Sequence, residues 1–295
     1  MREQKIIASL FAALCVAGCA SSPTSKQAVD KSSVVSKRDT HERLNGVLWV
    51  QTSAEFKLLA ATTFREAGSA LRRIDADRQR GLTIPSAAEE QTEPFTPLKP
   101  LAIVVDIDET LLDNSPMSGR LVKERAPYTS ENWSGWVEKS SATFLPGATD
   151  FIKTARSMGY AVFFVTNRTK AEEGATLKNL AALGATEQEI LANEEIGPGQ
   201  VTPWESEKQA RREFIARTHW IVLMVGDDLA DFIAGIRKMP AQARVDEAQK
   251  RASRFGSQWF LLPNPLYGSW ESVLYDRTSP DAKQLQDKRD QVLAY

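Results

Sequence analysis

Apolar and polar residues come in alternating blocks along this chain. Five apolar residues run unbroken from Leu101 to Val105, and comparable runs recur in "YAVFFVTN" (160–167), "HWIVLMVGDD" (219–228) and "SQWFLLPN" (257–264). Apolar runs of this length, bounded by turn residues, predict strands buried on both faces. Between them lie "PGATDFIKTARSMG", "KAEEGATLKNLAALG" and "EKQARREFIART", with apolar residues at helical spacing and Pro or Gly at several of their ends. Strands alternating with helices of this length predict an α/β fold: a Rossmann-type parallel sheet with helices on both faces. Upstream, Leu44 to Ala76 predicts one or two helices broken near Gln51–Ser53, and the proline-bearing stretch 83–100 predicts an irregular crossing. Residues from 106 to Leu145 read as a loop-rich insertion containing tryptophans. No internal repeat occurs at the periods of solenoids or propellers.

In parallel sheets ligands sit beyond the carboxyl ends of the strands. Three strand ends here deliver polar groups: Asp106-Ile-Asp108, Thr166-Asn167-Arg168 and Gly226-Asp227-Asp228. Carboxylates brought this close repel one another and are costly to desolvate. A hard divalent cation offsets both costs. Oxygen donors without clustered His or Cys favour Mg²⁺ over zinc. Such a site suits phosphoryl transfer, with one carboxylate attacking phosphorus and a second acid, two residues on, handling the proton. Developing charge on the phosphoryl oxygens needs donors, met by Thr166, Asn167 and a lysine. Lys208, on the helix before the third strand, is the choice over Lys170 and Arg211.

Composition narrows the chemistry further. A formal charge of -1 over 295 residues does not suggest a nucleic-acid polymer as partner. Two His and two Cys make a zinc site or a disulfide framework a poor fit. The N-terminal segment carries Arg2 and Lys5, then an apolar run ending in "VAGC" (16–19). This resembles the lipobox of bacterial lipoproteins, with residues 1–18 as signal peptide and Cys19 as the lipidated residue. Residues 19–40 then read as a flexible, Ser-rich tether. With Ser21 second after the cysteine, the resemblance implies anchoring in the bacterial outer membrane, with palmitate-type acyl chains holding the protein there.

The four ordered pieces "DIDETLLDN", "VTNR", Lys208 and "GDDLADF" resemble the motifs of the haloacid dehalogenase (HAD) superfamily. "DETLLDNSP", "ENWSGWVEKS", "LPGATDF" and "LPNPLYGSWE" are similar, more narrowly, to class C bacterial acid phosphatases of the nucleotidase type. The resemblance implies an Mg²⁺-dependent acid phosphatase hydrolysing small phosphomonoesters, nucleoside monophosphates or aryl phosphates among them. It implies Asp106 as nucleophile, Asp108 as general acid/base, and Thr166, Asn167 and Lys208 on the phosphoryl group. Mg²⁺ would be held by the Asp106 carboxylate, the Asp108 carbonyl and Asp227, with Asp228 and Asp231 as supporting acids.

Trp133 and Tyr267 match positions that clasp the leaving group, and Arg168 is divided between a site role and a surface ion pair. Met117 departs from the aromatic residue that relatives often carry. The phosphatase domain would span 41–295: a helical annex and crossing over 41–100, an α/β core over 101–265 and a tail over 266–295. A homodimer stays open. The alternatives are phosphotransfer to another alcohol on the same scaffold, or a non-catalytic surface-binding lipoprotein.

Overall fold

The computed structural model describes residues 41–193, 206–274 and 282–293; the lipobox cysteine and the tether lie outside them. The chain opens with α1 (Leu44–Thr52) and α2 (Ala54–Gln79). The predicted break falls at Ser53, whose hydroxyl accepts the Phe56 N–H at 3.1 Å and so caps α2. Then come β1 (Leu101–Val105), β2 (Leu112–Asp113), α3 (Ser115–Glu124), α4 (Ser130–Val137) and β3 (Thr143–Phe144). The remaining order is α5 (Ala148–Ser157), β4 (Ala161–Thr169), α6 (Glu173–Leu180), β5 (Ile190–Asn193), α7 (Gln209–Ala216), β6 (Trp220–Gly226), α8 (Ala241–Lys250), β7 (Trp259–Leu261), α9 (Ser269–Ser272) and α10 (Ala282–Val292). Among the described residues no helix is long and apolar enough to cross a membrane.

Five parallel strands form the main sheet in the order β5-β4-β1-β6-β7. β1 sits at its centre and alternates between two cores. Leu101, Ile103 and Val105 join the cluster with Phe56, Phe64 and Leu71 of α2, and Phe151 and Ile152 of α5. Ala102 and Val104 join Ile215 of α7, Phe232 and Trp259 on the opposite face. Each fully buried Leu, Ile or Phe contributes about 1.5–3 kcal/mol. The sheet is thus covered on both sides. Helix α2 buries Phe56, Ala60, Phe64, Ala67 and Leu71, a stripe at helical spacing. The early helices, expected as an annex, therefore share one apolar cluster with the sheet.

Two parts of the sequence reading need correction. Strand β5 was not expected: Ile190–Asn193 is four residues long, below the length at which periodicity speaks. The stretch after β1 is not loop-rich. It holds α3, α4 and a two-stranded antiparallel ribbon in which Leu112 pairs with Phe144. Its helices are short, and Pro116 and Gly135 obscure their pattern.

Candidate active site

Asp106 follows the last residue of the central strand, its N–H donating to Val225 O of β6 at 2.9 Å. That bond keeps the backbone in the sheet for one more residue and carries the carboxylate out over the edge. Oδ1 accepts from Lys208 Nζ, which also lies 2.7 Å from Asp231 Oδ1. Oδ2 is buried with no hydrogen-bond partner. Burial, with Asp231 and Asp108 nearby, raises the Asp106 carboxyl to about 6 even though Lys208 pulls it down. Burial works against the Lys208 charge too, but the two acids outweigh it and hold the ammonium above its ordinary value.

One oxygen each from Asp106, Asp227 and Asp231 lies within 4.8 Å of the others. Their partners separate their roles. Asp231 is fully engaged: Oδ2 accepts the N–H groups of Asp227 and Asp228, both at 3.0 Å, and Oδ1 holds Lys208. Asp227 accepts Asn264 Nδ2 at 2.7 Å on one oxygen and only a long 3.5 Å contact from Thr110 on the other. Burial and the neighbouring acids push its carboxyl well above the ordinary range. The free oxygens of Asp106 and Asp227 therefore fit a hard divalent cation, and Asp231 shapes the loop beneath. A Cβ on Gly226 would meet Asp231 Oδ2 at 2.2 Å, which is why β6 ends in glycine there.

Asp108 is gripped from one side. Arg168 Nε lies 3.1 Å from both its oxygens and Nη2 lies 2.7 Å from Oδ1, while Asn114 Nδ2 donates to Oδ1 at 2.9 Å. Arg168 is buried, so the surface-pair reading of that residue fails. Burial opposes its charge, yet Asp108 more than offsets this and holds the guanidinium above its usual value. Its Cζ sits 5.7 Å over the Trp133 ring.

The donors from β4 divide. Thr166 is buried, does not line the cavity, and its hydroxyl accepts the Arg168 N–H at 3.1 Å. Asn167 lines the cavity. Its Oδ1 accepts Arg211 Nη2 at 2.8 Å, and since a guanidinium offers only donors, the amide NH₂ is the end left over. Arg211, weighed in the sequence only as a rival to Lys208, is fully buried on α7 and also donates to the Thr166 and Leu191 carbonyls. Desolvation lowers it to about 10.

The cavity over these groups has a volume of about 310 Å³. Trp133, Tyr128, Met117 and Tyr267 make its apolar walls. Trp133 and half-exposed Tyr128 lie 6.5 Å apart, centroid to centroid, at 43°. Trp136, one turn on, instead packs against the core and donates Nε1–H to Asn114 Oδ1 at 2.8 Å. The Tyr267 hydroxyl is committed to Glu109. Glu109 is buried, holds a left-handed φ of 57° and accepts the Asn114 N–H at 3.0 Å. Burial and Asp108 push its carboxyl well above the ordinary range. Asp228 turns to Ser269, accepting both its N–H and its hydroxyl, and caps Ala230 N at 2.9 Å. Although burial penalises its charge, those bonds hold it below the usual carboxylate range. It is an anchor for the α9 segment.

A family model described as HAD superfamily, subfamily IIIB (acid phosphatase), matches residues 51–270. The chain belongs to this family. It is similar to the class C acid phosphatase from Bacillus anthracis, 33% identical with a TM-score of 0.72, over 86% of this chain and 97% of that one. A structure of the class C acid phosphatase from that organism with tungstate bound is 32% identical, with a TM-score of 0.71. It is also similar to the stem 28 kDa glycoprotein of Glycine max, 26% identical over 165 residues, 56% of this chain and 58% of that protein. Acid phosphatase 1 of Solanum lycopersicum is 24% identical over 166 residues, 56% of this chain and 57% of that protein. The chain thus spans under two thirds of the length of these curated relatives.

Asn114, Tyr128 and Asn264 were not singled out from the sequence, although Asn114 contacts Asp108, Tyr128 lines the cavity and Asn264 contacts Asp227. Asn114 stood inside a quoted motif without a role. Tyr128 sits in the short connection before α4, where no periodicity marks it.

Proposed function

We propose that this subfamily IIIB chain is an Mg²⁺-dependent phosphomonoesterase acting through an aspartyl-phosphate on Asp106. The observation that carries the reading is the Asp106 carboxylate, which lines a cavity with Asp227 and Lys208 and whose Oδ2 is buried without a hydrogen-bond partner among the described residues. Asp106 attacks phosphorus in line, the ester P–O bond breaks, and Asp108 protonates the departing oxygen. Water then attacks phosphorus and gives its proton to Asp108, releasing phosphate and restoring Asp106. Lys208 and the Asn167 amide supply donors to the phosphoryl oxygens. Bound at Asp106 and Asp227, Mg²⁺ supplies positive charge that neutralises the carboxylates and the incoming dianion. Arg168 and Asn114 hold Asp108 at one rotamer through both protonation events.

The paired rings of Tyr128 and Trp133 favour a flat leaving group, a nucleoside or aryl alcohol. Tyr128 supplies from the loop before α4 the ring that Met117 lacks. The tungstate complex of the Bacillus anthracis enzyme supports a tetrahedral oxyanion site. The "VAGC" sequence supports anchoring through Cys19 in a bacterial outer membrane.

Phosphate release from nucleoside 5′-monophosphates and 4-nitrophenyl phosphate, with Mg²⁺ and with EDTA, tests the reading. EDTA and Asp106→Asn should each abolish release; release that survives either one ends the assignment.

A further inference from the structure

Five carboxylates and four cations line the cavity. The pairings described above account for most of them. Asp108 is held by Arg168, Asp106 and Asp231 share Lys208, Asp227 accepts from Asn264, and Asp228 is taken up by Ser269, the Ala230 N–H and Arg244 at 3.8 Å. Arg43 and Arg237 are left over. Neither guanidinium has an ion pair or a side-chain hydrogen bond among the described residues, and both are only partly exposed. Arg237 Nε is buried without any partner.

Asp228 lies near Arg237 and Glu42 near Arg43, but neither acid bonds the guanidinium. N–H groups half out of water without an acceptor are costly, and the cost is recovered when an anion enters. The two stand on different walls. Arg43 precedes α1 and is close enough to Tyr128 for its charge to act on that hydroxyl. Arg237 lies in the short 3₁₀ turn Ile236–Lys238, beside Asp228 and Arg211. The reacting phosphoryl group already has Lys208, Asn167 and the cation-holding acids. A neutral leaving group would give the spare arginines nothing to bind.

We propose that Arg43 and Arg237 make this cavity selective for phosphomonoesters whose leaving group carries a second anionic group, a carboxylate or a further phosphate. This specificity rests on the phosphomonoesterase reading above. A charge-assisted bond of ordinary strength raises kcat/KM roughly tenfold over a neutral isostere. The preferred substrates are then doubly anionic aromatic or nucleoside esters.

The test compares 4-carboxyphenyl phosphate with its neutral isostere 4-carbamoylphenyl phosphate, repeated with the 3-substituted pair. Each carries one phosphoryl group, so the bond that breaks is unambiguous. The wild-type protein with Mg²⁺ should prefer the carboxylate of at least one pair by roughly tenfold in kcat/KM. Arg43→Ala and Arg237→Ala should each lower that ratio, the double variant should bring it to about one, and lysine at both positions should restore part of it. The ratio is internally controlled, because a merely structural loss slows both members of a pair alike. A wild-type ratio near one for both pairs overturns the proposal, as does a ratio that persists in the double variant. Wild-type hydrolysis of both esters without discrimination sinks the specificity alone. Failure to release phosphate from any ester sinks the phosphomonoesterase reading and this inference with it.

Discussion

Asparagine in place of Asp106 should make the cation-free protein more stable at neutral pH, although it removes the proposed nucleophile. The buried carboxyl is raised from 3.8 to about 6 by desolvation and by Asp231 and Asp108, against the pull of Lys208. A folded value above the unfolded one means that its stabilising contribution is complete below 3.8 and is lost as pH rises through about 6. Above that the penalty is full, and a gap of roughly 2 between the two values corresponds to roughly 3 kcal/mol. Asparagine keeps the shape and carries no charge. Lys208 retains Asp231 at 2.7 Å. Losing the Lys208 pair removes part of the gain, so an increase of roughly 1–3 kcal/mol is expected. At roughly 2–4 °C per kcal/mol this is a Tm higher by roughly 2–12 °C. Thermal unfolding in EDTA, followed by near-UV circular dichroism, should show the widest gap between variant and wild type at pH 7. The gap should close as pH falls from about 6 to about 4. Saturating Mg²⁺ at pH 7 should raise the wild type more than the variant. Superposable melting curves across the range, or a cation-free wild type that is the more stable at pH 7, would refute the reasoning. Either would mean that Lys208 fully compensates the buried charge.

Arg211→Ala strands the carbonyls of Thr166 and Leu191 and the Asn167 amide oxygen in the sheet edge. Urea unfolding should report a loss of roughly 3 kcal/mol, and lysine should restore only part of it because an ammonium cannot fork between the strands. Gly226→Ala drives a methyl group into Asp231 Oδ2 at 2.2 Å. Displacing that side chain releases the Asp227 and Asp228 N–H groups and one partner of Lys208, so phosphate release should fall by roughly 100-fold and calorimetric Mg²⁺ affinity should weaken with it.

The central elements were legible because their pattern is strong. β1, β4 and β6 are long apolar runs, and each ends in the polar residues that a ligand at the sheet edge would meet. Asp106 and Asp227 could be placed together from that alone, whereas Lys208, at the start of α7 and with Lys170 and Arg211 as rivals, was chosen with the help of the motif resemblance. Side-chain pairing was not legible, because it depends on tertiary distance. Arg168 and Asp108 are 60 residues apart, and Arg211 and Thr166 are 45 apart. Nothing in "VTNR" says that its arginine grips Asp108 and that its threonine hydroxyl serves a backbone N–H. Asp228 and Asp231 look alike in "GDDLADF". Only their partners separate a loop anchor from a residue that shares Lys208 with Asp106.

Those partners also explain why the last part of the matched region belongs to the chemistry. Asn264 donates to Asp227, Tyr267 to Glu109, and Ser269 to Asp228. One stretch of six residues therefore satisfies an acid at the tip of β6, a second just beyond it, and a third beyond β1. Each of the three acids is buried or half-buried, and an unpaired buried carboxylate costs several kcal/mol unless it is protonated or bonded. The stretch after β7 is thus a set of donors that lets the acids crowd the sheet edge before any cation arrives. Asp106 is the exception, with Oδ2 left without a donor. A site that supplies partners to its neighbouring carboxylates and withholds one from the central aspartate is the arrangement that the proposed use of Asp106 by a cation and by phosphorus requires.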